Sequence, residues 1–251
     1  MSDQDTGATT QPLTVGGVLG RTMSIVGKNF PVLLGVTVLF YLPSLVVGVV
    51  QVNALSSGQM DLAVWSGLGN IIAAVFQFAL VGGITYAVYK ALQGGQASFG
   101  ETIGKGFRFL GPVFAVSILS TIAVFVGLIL LIVPGIIAMI MLSVAIPALV
   151  AERTGIFESL SRSADLTKGY RWSILGIFLV WLVIVAVLLF VGGGLVGAIT
   201  YGMGTMAAVI SNWVFTVLYG MVGAVLAPVI YFELRIAKEG LDLGQIASVF
   251  D

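Results

Sequence analysis

Neither cysteine nor histidine occurs in this chain of 251 residues. The first absence removes disulfides, thiolate nucleophiles and sulfur-ligated metals. The second removes the commonest metal ligand and the commonest general acid–base group. Charge is nearly as scarce: Asp, Glu, Lys and Arg make up 9% of the chain, against about 25% in soluble domains. With 59% hydrophobic residues and a mean hydropathy of +1.12, a water-soluble globule is excluded. Eleven basic residues balance eleven acidic ones, so no net field argues for nucleic acid. No cofactor is expected.

What the chain does have is long charge-free intervals. A helix needs about 20 apolar residues to cross the hydrocarbon core. One fits between Lys28 and Asp61, and another between Asp61 and Lys90. The intervals Phe109 to Ala151 and Trp172 to Phe232 each hold two, with turns at Pro134-Gly135 and within Thr200 to Met206. The predicted spans are 30–52, 62–89, 111–133, 135–151, 172–199 and 207–232. A transmembrane β-barrel needs alternating polarity, which runs such as FLVWLVIVAVLLFV lack. The expected fold is all-α: a single six-span polytopic domain over residues 12–251, behind a disordered polar tail at residues 1–11. That tail has no basic start before an apolar core, so it does not read as a signal peptide.

All eleven Lys and Arg fall in alternate connections: Arg21 and Lys28; Lys90, Lys105 and Arg108; Arg153, Arg162, Lys168 and Arg171; Arg235 and Lys238. The positive-inside rule then places both termini in the cytoplasm of a bacterial inner-membrane protein. The basic connections also read as amphipathic interfacial helices. Ser98 and Glu101 form a capping-box pattern before Phe99, Ile103, Phe107 and Leu110. Thr14 to Lys28 repeats the design through Val15, Val18, Leu19, Ile25 and Val26. In Ile156 to Lys168, Phe157, Leu160 and Ala164 share a face, Glu158 is placed to pair with Arg162, and Gly169 supplies a stop. A fourth such helix is expected in the tail, capped by Asp242. The order of amphipathic helix then hairpin occurs three times, without a residue-level repeat.

No ionisable residue falls within a predicted span, which argues against a proton relay or a carboxylate metal site. Weaker polar groups remain. Ser66, Asn70, Ala73 and Gln77 share one face of the second span, and Asn212, Thr216, Tyr219 and Gly223 one face of the sixth. Such stripes line a path for solute or simply bond helices together, and the second use is the ordinary one. Gly193 and Gly197, and Gly220 with Ala224, suit close helix packing; Gly192 to Gly194 could alternatively break a helix. Glu152 with Arg162, Lys168 and Arg171 forms the remaining candidate cluster. It is either an ion-paired anchor or a binding site for anionic phospholipid headgroups.

The stretch from Val133 through Trp172 carries Pro134-Gly135, Pro147, Glu152, Ser163, Leu166, Thr167 and Gly169. The ending carries Tyr231, Leu234, Arg235, Glu239, Gly240 and Asp242. Together these resemble a group of bacterial integral-membrane proteins related to the membrane domain of glycerophosphoryl diester phosphodiesterase. The resemblance covers residues 14–246 and implies the fold. It does not imply phosphodiester hydrolysis, which in those enzymes belongs to a separate soluble domain.

The expectation is therefore a non-enzymatic organiser or regulator of an envelope or lipid-related process. Its partners would be the bilayer, anionic phospholipid and a further protein or second copy. A transporter or channel for a neutral or apolar solute is the alternative, and an intramembrane enzyme ranks third.

Overall fold

The computed structural model describes residues 13–58, 60–201 and 203–240. The expected disordered tail and the helix capped by Asp242 lie outside them. The described elements are helical: α1 (Val15–Lys28), α2 (Phe30–Ser57), α3 (Met60–Leu92), α4 (Phe99–Leu130), α5 (Ile132–Leu142), α6 (Ala145–Glu152), α7 (Ile156–Thr167), α8 (Arg171–Thr200) and α9 (Thr205–Glu239). Helices α2, α3, α4, α5 with α6, α8 and α9 give six membrane spans. The chain is an all-α six-span bundle.

Its exterior is what a bilayer requires. Ile129 is 81% exposed and Phe190 is 86% exposed, alongside dozens of other exposed apolar side chains. In water such a surface would aggregate; in hydrocarbon it is solvated. The interior is built on α2, α3, α4 and α9. Phe40 of α2, Phe76 of α3 and Phe107 of α4 form a three-ring cluster with centroids 5.5–6.0 Å apart. Glycine sets the closest helix approach. A Cβ on Gly106 would sit 2.5 Å from the Ala79 carbonyl oxygen, and one on Gly83 2.7 Å from that of Thr102. Backbones in lipid meet this closely only where side chains are minimal.

Several local expectations change. The amphipathic segment after Ser98 is no separate interfacial helix; it runs on unbroken into the third span as α4. Pro112 lies inside it without ending it, as Pro43 does in α2 and Pro228 in α9. Ser98 caps the helix by accepting from the Glu101 N–H at 3.2 Å. The Glu101 carboxylate does not complete the box: it bonds the Tyr86 hydroxyl and, at 2.8 Å, Lys90.

Leu131 alone links α4 to α5, three residues before Pro134. A Cβ on Gly127 would lie 2.8 Å from the Gly135 Cα, so these glycines allow the tight hairpin. The fourth span is then discontinuous, breaking between α5 and α6 at Ser143 and Val144. Pro147 lies in the first turn after this break and has no N–H for the Ser143 carbonyl. By contrast α8 passes through Gly192 to Gly194 without a break. Among the described residues, a Cβ on Gly193 or Gly197 would meet nothing within 4 Å. One on Gly220 would lie 2.6 Å from the Tyr41 hydroxyl.

The α7 helix packs on the bundle by a face other than that of Phe157, Leu160 and Ala164. Its buried face is Ser159, Ser163, Leu166 and Thr167, while Phe157 is 75% exposed. Gly169 does follow the helix, in the left-handed conformation at φ 91°.

Candidate functional site

Among the described residues, the charged side chains other than Asp61 collect at one end of the bundle, where α1, α6, α7, the start of α8 and the last turns of α3 and α9 meet the first turns of α4. Helix α1 docks there through Val18, Ile25 and Val26, and Arg21 pairs with Glu233 of α9 at 2.8 Å.

The best-connected group is Glu152. Its carboxylate accepts from Arg162 Nε at 2.9 and 3.1 Å and from the Tyr231 hydroxyl at 2.7 Å. Arg235 Nε lies 3.8 Å from the same carboxylate and donates to Glu239 at 2.9 Å. Arg162 also bonds Glu239, closing the circuit. Burial works against the Arg162 charge, but the hydrogen bonds it donates to Glu152 and Glu239 outweigh it and hold the guanidinium above its ordinary value. The two halves of the sequence motif, around Glu152 and around Tyr231, thus form one network joining α6, α7 and α9. Sequence spacing suggested Glu158 for Arg162. Instead Glu158 accepts from the Gly155 N–H at 2.7 Å and caps α7.

Next to Arg162 in sequence, Ser163 reaches into the break in the fourth span. Its hydroxyl donates to the Met141 carbonyl at 2.6 Å and accepts from the Val144 N–H at 3.3 Å. A side chain from α7 therefore replaces backbone bonds that α5 and α6 cannot make for themselves, as discontinuous helices in a membrane require. Ser163 was noted in the sequence only as part of the motif; its small size on a buried helical face is the signal that could have marked it.

The other two members of the candidate cluster stand outside the network. Lys168 is exposed at the end of α7. Arg171 opens α8 and lines an apolar groove of about 380 Å³ with Val133, Ile136, Ile140, Trp172 and Leu175.

The intramembrane stripes divide as well. Asn70 and Asn212 are exposed, whereas Gln77 is half-buried beside the Tyr41 hydroxyl. The Thr216 hydroxyl donates to the carbonyl of Asn212 at 2.9 Å, within its own helix. Trp213 Nε1 donates to the Tyr41 carbonyl at 2.8 Å. Tyr41 of α2 is thus where polar groups of α3 and α9 converge.

A cleft between α3, α4 and α6 escaped the sequence reading. Two adjoining cavities of about 410 and 210 Å³ share Lys105, Phe109 and Arg153 in their walls. Tyr86, Lys90 and Gln93 complete the larger; Arg108, Pro112, Leu149 and Thr154 complete the smaller. Arg153 caps α6 at φ 53°, the one left-handed non-glycine among the described residues. That conformation costs about 1–2 kcal/mol for a residue with a Cβ. Among the described residues, no cluster of acidic side chains suits a metal ion.

These features define a multi-pass α-helical inner-membrane bundle with most of its described charge at one end. A family model described as Uncharacterised protein family UPF0259 matches residues 50–220, and the chain belongs to that family. It is 28% identical over 141 residues to a UPF0259 membrane protein of Photorhabdus laumondii, covering 56% of this chain and 55% of that one. It is 29% identical over 134 residues to one from Pectobacterium carotovorum, covering 53% and 54%. With one from Yersinia pestis the identity is 30% over 132 residues, covering 53% and 52%. The chain thus spans about half the length of the curated relatives it matches. No solved structure matches it.

Proposed function

We propose that the chain is a non-enzymatic membrane protein that organises or regulates an envelope or lipid-related process, with its charged end in the cytoplasm. The observation that carries this reading is the Glu152 network. Its two carboxylates, two guanidinium groups and Tyr231 hydroxyl are spent on one another, tying α6 and α7 to α9. A rigid platform results, suited to holding a partner rather than to transferring protons. The likeness of its motif to the membrane domain of glycerophosphoryl diester phosphodiesterase supports the lipid-related part. The position of Gln77 beside Tyr41 supports a packing role for the second-span stripe over a solute path.

The test is reconstitution beside deletion. Proteoliposomes should pass glycerol and small neutral solutes no faster than protein-free vesicles, and should leave phosphodiesters intact. Cells lacking the protein should show altered phospholipid composition or envelope permeability. Solute flux abolished by Gln77→Leu would establish transport in its place.

A further inference from the structure

Among the described residues, Lys105, Arg108 and Arg153 take part in none of the ion pairs at the charged end. They arrive from separate elements, two from the first turns of α4 and one from the cap of α6, yet they line the same cleft. The nearby carboxylate of Glu101 is already engaged by Tyr86 and Lys90. Like charges gathered without a counter-charge repel, so folding alone does not favour this arrangement.

Three further observations point into the cleft. The Thr154 hydroxyl is buried with no partner in the protein, although buried hydroxyls are normally bonded. Arg153 holds a left-handed conformation that glycine would adopt without strain. Lys105 is steadied by its ammonium lying 5.1 Å from the centre of the Tyr86 ring. The floor of the smaller cavity is apolar, made by Phe109, Pro112 and Leu149. From it the face of α4 that carries Pro112 continues through Leu119, Ala123, Val126 and Leu130, half-buried or exposed apolar positions leading away from the charged end.

We propose that this cleft binds the phosphate of an anionic phospholipid headgroup. Arg108, Arg153 and Lys105 would neutralise the phosphate, Thr154 would donate a hydrogen bond, and an acyl chain would follow the apolar face of α4. That continuous apolar path favours a lipid over a free phosphate compound, which would use the cations and leave the path idle. The inference deepens the lipid-related reading and rests on it. Its test can fail separately, because it measures binding and not flux, hydrolysis or phenotype.

The experiment is native mass spectrometry of the full chain in mild detergent, titrated with phosphatidylglycerol, phosphatidylcholine or glycerol 3-phosphate. Wild type should prefer phosphatidylglycerol over phosphatidylcholine. Arg108→Gln and Arg153→Gln should each weaken that preference about fivefold, the gain expected per basic residue beside anionic lipid. Lys168→Gln, on the same end but outside the cleft, should leave it unchanged, and Arg153→Lys should retain most of it. Arg153→Gly keeps the favoured backbone and guards against misfolding: it should melt no lower than wild type while losing the preference. Equal binding of both lipids by folded wild type would overturn the proposal. So would equal losses in Lys168→Gln, or saturable binding of glycerol 3-phosphate without phosphatidylglycerol selectivity.

Discussion

Ser163 donates its hydroxyl proton to the carbonyl of Met141 at 2.6 Å, from a helix that begins only after the broken span has ended. The same oxygen accepts from Val144. Ser163→Ala should therefore leave two buried backbone groups unpaired and cost about 2–4 kcal/mol, since each buried unsatisfied group costs about 1–3. Ser159→Ala is the comparison, because the Ser159 hydroxyl only bonds Ile156 one turn back in its own helix. Its loss should stay below about 1 kcal/mol. Unfolding midpoints in detergent measure both; equal losses would remove the proposed role of Ser163.

The Glu152–Arg162 pair should behave as one unit. Glu152→Gln and Arg162→Gln should each destabilise, and the double variant should cost less than their sum. The coupling expected is about 1 kcal/mol, held down by solvent screening at side chains that are 19% and 31% exposed. Additive losses in a double-mutant cycle would show that the pair carries no stability of its own.

Two glycines two residues apart in α4 should respond with opposite sign. Gly106→Ala drives a Cβ toward the Ala79 carbonyl, which belongs to backbone and cannot step aside. It should cost about 1–3 kcal/mol as overpacking. Gly104 meets nothing within 4 Å, so Gly104→Ala should gain up to about 1 kcal/mol from helix propensity. Thermal unfolding decides, and a gain at both sites would refute the close α3–α4 contact.

Orientation has a direct test because the chain has no native cysteine. Ser57 and Lys168 are exposed at opposite ends of the bundle. In spheroplasts, a membrane-impermeant maleimide should label Ser57→Cys and spare Lys168→Cys until the membrane is opened. The reverse pattern would invert the proposed topology.

The six spans were legible because charge-free length is a property of composition, and the hydrocarbon core admits little else. The discontinuity in the fourth span was not, because Pro147 announces a lost bond without saying what replaces it. The replacement comes from Ser163, sixteen residues further on. The docking face of α7 was not legible for a related reason. Hydrophobicity marks Phe157, Leu160 and Ala164 as the membrane face, but it does not show that the small hydroxyls of Ser159, Ser163 and Thr167 join the helix to the bundle. The candidate cations Arg162, Lys168 and Arg171 drew attention because they are neighbours in sequence. Lys105, Arg108 and Arg153 become neighbours only after α4 and α6 pack, so no local pattern could unite them.

The link between α4 and α5 is a single leucine set in LILLIVPG, with no polar side chain on either flank. No hydrophilic loop has to be hauled across the bilayer when this pair enters it. The two arms can slide in together as one wedge during biogenesis, and the lysine and arginines at their base are then the brake that stops the wedge at its proper depth.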